Sequence, residues 1–162
     1  MKYLFALLFF VLLMSATSAQ NWKELIQAPL GLKYDVPQGW YVGGYMHGKA
    51  CDCNGATINS SKDQTINMVI FKDTIPLDSL KKQIVWDYSF APFTLNTEIF
   101  QTEFFTFKKS MSTWNEDRRA IVFRFSMSHN GSQYLIYFWG YLEDVTRNTK
   151  NIEAILQSIQ GI

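Results

Sequence analysis

The stretch that decides the architecture is RAIVFRFSMSHNGSQYLIYFWGYL, Arg119 to Leu142. From Arg119 to Met127 the residues Ile121, Phe123, Phe125 and Met127 fall on one face of an extended chain, because side chains alternate along a strand. His129-Asn130-Gly131-Ser132 reverses direction, and Asn-Gly supplies the positive φ angles of a tight hairpin. Gln133 to Leu142 is the return strand. Its apolar residues are not confined to one side: Tyr134, Ile136, Phe138 and Leu142 line one face, and Leu135, Tyr137, Trp139 and Tyr141 the other. A strand apolar on both faces belongs in the interior of a sheet covered on both sides. Phe123 is expected in the central packing, where truncation to alanine costs about 3–5 kcal/mol.

Outward from the hairpin, Thr146 to Ile159 is an amphipathic helix with Ile152, Ile155, Leu156 and Ile159 on one stripe. Thr65 to Lys72 alternates as an internal strand. Asp78 is placed to cap a helix running to about Tyr88, with Leu80, Ile84 and Tyr88 on its buried side. Glu98 to Lys108 is extended and aromatic, and a polar loop follows from Ser110 to Asp117. Near the start, Asn21 to Gln27 reads as a short helical turn. Leu32 to Val36 reads as a strand ending in Pro37-Gln38-Gly39, which suits a type II turn. Gly43 to Lys62 holds four glycines and both cysteines without hydrophobic periodicity, and is expected to be a long irregular loop. The sum is an α+β domain: an antiparallel sheet with two main helices packed on one face.

The order of these elements, with Tyr34-Asp35-Val36-Pro37-Gln38-Gly39-Trp40 near the start and Ile155-Leu156-Gln157-Ser158-Ile159 in the last helix, resembles the PsbP-like fold. One strand fewer is counted here between the hairpin and the final helix. The resemblance implies a small binding or accessory domain, non-catalytic, with no shared active-site residues to transfer.

The first residues specify a destination. Lys2, the twelve apolar residues Tyr3 to Met14, and the small, polar Ser15 to Ala19 follow the order of a cleaved signal peptide. The cut is expected before Gln20, with residues 20–162 forming one domain in the periplasm or outside the cell. The apolar run is shorter than the ~20 residues of a membrane span, so no span is expected after cleavage. With Lys2 removed, the formal charge of +1 falls to zero, and no Lys/Arg run provides a nucleic-acid footprint.

Two places could carry function. His47-Gly48-Lys49-Ala50-Cys51-Asp52-Cys53 holds both cysteines. An exported chain favours a disulfide, but a ring this small contributes only about 1.6 kcal/mol by loop entropy before strain. The functional alternatives are a reducible thiol pair and soft ligation of zinc or copper(I) by Cys51, Cys53 and His47. The second place is the Tyr137, Trp139 and Tyr141 face, to which the partner strand adds Arg124. Either the Gly43–Lys62 loop covers it, or it meets a protein partner or a small apolar ligand. His129 is a turn residue, and no Gly-x-Ser-x-Gly elbow provides a hydrolase nucleophile. Asn59-Ser60-Ser61 and Asn130-Gly131-Ser132 have the form of glycosylation sequons.

Overall fold

A computed structural model describes residues 21–46, 55–84, 90–94 and 97–162. Its frame is a seven-stranded antiparallel sheet. The strands are β3 (Tyr41–Met46), β4 (Gly55–Ser60), β5 (Asn67–Asp73), β6 (Glu98–Gln101), β7 (Thr106–Thr113), β8 (Ala120–His129) and β9 (Ser132–Tyr141), in the spatial order β3-β4-β5-β9-β8-β7-β6. A smaller sheet joins β1 (Trp22–Gln27), β2 (Leu32–Pro37) and β10 (Gln160–Gly161) in the order β1-β2-β10. The helices are α1 (Leu77–Gln83) and α2 (Leu142–Ser158).

The β8–β9 hairpin closes through His129↔Ser132, with Asn130 at φ 47° and Gly131 at φ 74°. Both central residues thus take the positive φ of a type I′ turn. β9 is central and buried on both sides, as its two apolar faces require. Tyr134, Ile136 and Phe138 join a core with Met68, Ile70, Phe125, the Ile152/Ile155/Leu156 stripe of α2, and Leu32, Tyr34 and Val36 of the small sheet. Leu135 and Tyr137 join a second core with Val69, Phe71, Val122, Phe90, Leu80 and Ile84.

The α+β class holds, with mainly antiparallel strands and two helices. The helices, however, lie on opposite faces of the large sheet, because each covers one apolar face of β9 and β5. Phe123 is half-buried at the margin of the first core, beneath the Lys109 ammonium 4.9 Å from its ring; Phe125 is the buried ring.

Other expectations change for identifiable reasons. Of the expected helical turn Asn21–Gln27, Trp22–Gln27 is β1 instead: a single turn has little stability alone, and pairing with β2 runs from Trp22↔Pro37 to Gln27↔Leu32. The expected Gly43–Lys62 loop contains β3 and β4, whose register shifts between Val42 and Tyr45. The glycines at 43 and 44 therefore sit at a strand irregularity. Ser110 and Ser112 are buried positions of β7; their polarity mimics a loop. α1 starts after Pro76, and Asp78 makes an ion pair with Lys81 at 3.2 Å instead of a cap. Gln38-Gly39 is the expected type II turn, with Gly39 at φ 91° and the Trp40 amide donating to the Pro37 carbonyl at 3.1 Å. In the first sequon Asn59 is wholly buried and donates to the Tyr34 hydroxyl, whereas Asn130 of the second is exposed.

Candidate functional site

β9 presents Tyr137 and Trp139 to the α1 side of the sheet, and register pairs Tyr137 with Arg124. Tyr137 does not reach solvent. Phe90 stacks on it with ring centroids 6.1 Å apart, and Phe71 and Phe93 meet it edge-on at 5.8 and 6.4 Å. Among the described residues the cover is α1 with residues 90–94. Backbone bonds hold it down: the Ala91 amide donates to Thr113 and the Thr94 amide to Met111, both at 2.9 Å. The Asn115 side chain donates to the Phe90 carbonyl at 3.0 Å. Trp139 is half-buried against the same core. Arg124 lies over Phe93, 3.8 Å from the ring centre.

Tyr141 is different. It ends β9 with 53% of its surface exposed, and Leu142, which starts α2, is 54% exposed. The two lie in a groove of about 710 Å³ with Ile121 on its apolar lining. Arg118 and Arg119 line one part of it, and Glu143 and Asp144 of the first turn of α2 another. The Arg119 guanidinium stands 5.6 Å over the Tyr141 ring and bonds both oxygens of Asp117, at 3.0 and 2.9 Å. Those bonds hold the Asp117 carboxyl below its ordinary range and raise Arg119 in turn. Asp144 is engaged by Arg147 at 3.0 Å. The result is an apolar floor with fixed charges of both signs at its margin.

By register the four residues share one face of the sheet, but they differ in depth: Tyr137 inside, Trp139 half inside, Arg124 over Phe93, Tyr141 in an open groove. Alternation placed them on the sheet and put Leu142 on the opposite face of the same strand. In the structure Leu142 instead opens α2, and it joins Tyr141, Arg118 and Glu143 because β9 runs directly into α2. His47, Cys51 and Cys53, the residues of the thiol, zinc or copper alternative, lie outside the described residues. Among the described residues no group of three His, Cys, Asp or Glu side chains is placed to hold a metal ion.

No protein-family model and no curated protein matches the sequence. Solved structures do match in shape. The chain is similar to the cyanobacterial PsbP of Synechocystis, with a TM-score of 0.60 at 10% identity over 91% of this chain and 96% of that one. It is also similar to the Saccharomyces cerevisiae Ran-binding protein Mog1p, with a TM-score of 0.54 at 9% identity over 88% and 96% of the two chains. A Bacteroides thetaiotaomicron protein aligns with a TM-score of 0.58 at 11% identity, covering 86% of this chain and 48% of its own longer one. The fold is PsbP-like, and at these identities the likeness is one of fold.

Proposed function

We propose that this chain is an exported, non-catalytic accessory domain that binds a protein partner through the groove where β9 passes into α2. The observation that carries this reading is the adjacent pair Tyr141 and Leu142, each more than half exposed in a groove of about 710 Å³. Tyrosine beside arginine is the composition of interface hot spots, and contiguous exposed apolar residues rimmed by charge characterise interaction surfaces. A fold neighbour, Mog1p, binds the protein Ran, which favours a protein over a small apolar ligand. Export rests on the charge, apolar core and small-residue order of Met1 to Ala19.

The test uses a photo-crosslinking residue at position 142, and at the exposed Lys62 as control, in protein within its own compartment. The expected result is one discrete adduct from position 142, absent from 62. Tyr141→Ser should abolish it while shifting stability by no more than about 0.5 kcal/mol. Adducts that are identical at both positions, or that survive Tyr141→Ser, overturn the reading; a co-purifying small apolar molecule would replace the protein partner with a ligand.

A second reading places thiol-redox or metal chemistry at Cys51-Asp52-Cys53 with His47. It rests on the sequence, where the two cysteines stand two positions apart and His47 lies four residues before them. Free-thiol titration with zinc and copper analysis of the same native sample separates it from an inert disulfide.

A further inference from the structure

A second cleft, of about 320 Å³, opens on the α1 side of the sheet beyond the covered Tyr137. It shares no lining residue with the groove at Tyr141. The strand register determines its floor. Lys108 of β7 pairs with Ser126 of β8, and two residues along, Ser110 pairs with Arg124. Residues two apart on a strand share a face, and directly opposed residues sit about 4.5–5.5 Å apart at Cβ. The four side chains therefore form a chequered square, with a cation and a hydroxyl on each rung and the cations on opposite corners; within it the buried Ser110 hydroxyl donates to the Arg124 carbonyl at 3.4 Å. On the next strand the same rungs continue as Leu135 and Tyr137, both buried, so the square lies where the apolar cover ends.

α1 supplies the wall. Lys81 adds a third cation, and Leu77 and Pro76 add an apolar margin. Asp78 is the acid in the lining; it is engaged by Lys81 at 3.2 Å and is 88% exposed. Lys108 has no carboxylate partner among the described residues. The Arg124 guanidinium lies on the Phe93 ring, at the edge of the segment that covers Tyr137.

We propose that this cleft binds a phosphate group carried by a small phosphate monoester. The donors lining it include Lys108 and Ser126 on one rung, Arg124 on the other, and the Lys81 ammonium, which has three hydrogens and gives one to Asp78. Several cationic donors around one small cleft suit a phosphate, with its three terminal oxygens and up to two charges. Cationic donors to phosphate make the stronger class of hydrogen bond. The volume is at the small end of ligand pockets, which fits a phosphate with a short apolar substituent against Leu77 and Pro76. This proposal is independent of the partner groove, and either can fail without the other.

The test is titration with inorganic phosphate and phenyl phosphate at constant ionic strength, with sodium chloride as reference, followed by amide chemical shifts. The expected result is saturable shifts centred on Lys108, Ser110 and Ser126, with phenyl phosphate the tighter ligand. Lys108→Gln, an exposed substitution that leaves the melting temperature unchanged, should weaken binding at least tenfold. Lys23→Gln, on β1, should leave it unaltered. Sedimentation with phosphatidic acid vesicles identifies the source: saturable binding to the soluble ester or to the vesicles supports the cleft, and which one binds says whether the monoester is free or lipid-borne. Failure to saturate with either, equal weakening by Lys23→Gln and Lys108→Gln, or less than a threefold effect of Lys108→Gln overturns the proposal.

Discussion

Phe125 and Phe123 sit two residues apart on β8 and face the same side, yet their surroundings differ. Phe125 is 3% exposed and meets the rings of Phe100, Phe107, Phe123 and Phe138 at centroid distances of 6.0–6.5 Å. Phe123 is half-buried and shields one side of its ring with Lys109. Truncation follows the environment: Phe125→Ala is expected to cost about 3–5 kcal/mol, and Phe123→Ala about half of that. Urea denaturation of the two variants side by side checks the order, and equal losses would contradict it. The face of β8 was legible from alternation alone. The depth of each residue along that face was not, because depth depends on where α2 crosses the sheet. The same holds at Tyr137 and Tyr141, equivalent by period and opposite in exposure.

Among the elements, the long strands and α2 were legible because each carries its own periodicity over ten residues or more. What escaped were elements defined by their neighbours. β1 buries only Leu25, and β3 contains two glycines, so neither announces itself. α1 and residues 90–94 were missed as the cover of Tyr137 because nothing in Phe90 or Phe93 says which face they will meet. The turn between β4 and β5, by contrast, is built from local side-chain chemistry. Asp63 Oδ1 accepts from the Ser61 hydroxyl at 2.6 Å and from the Thr65 hydroxyl at 2.9 Å. These bonds lower the Asp63 pKa below 3.8, the Ser61 hydroxyl contributing most. A carboxyl lowered on folding adds stability above its unfolded pKa and loses it as pH falls through the folded value. Asp63→Asn should therefore flatten part of the fall in stability below pH ~4. Urea midpoints of wild type and variant from pH 6 to 2 measure it; parallel acid limbs would show that Asp63 is not a contributor.

For the whole molecule, the large sheet divides two cores, and β9 belongs to both. Its amides and carbonyls are paired with β5 on one side and β8 on the other, while α1 and α2 close the two faces. Hydrogen exchange should accordingly be slowest through Leu135–Phe138 and fastest in the edge strands β3 and β6, since protection follows burial and pairing on both sides. Exchange in β6 as slow as in β9 would mean that an additional layer covers the edge. The centrality of β9 also has a consequence in time. The strand at the middle of the sheet spans residues 132–141 of 162, and β5, its neighbour on one side, ends at Asp73. As the polypeptide emerges from the ribosome, β3, β4 and β5 have no centre to assemble on until most of the chain has been made. Folding therefore waits on a late segment and must close a long loop when that segment arrives. Until then neither core can close, because β9 supplies side chains to both.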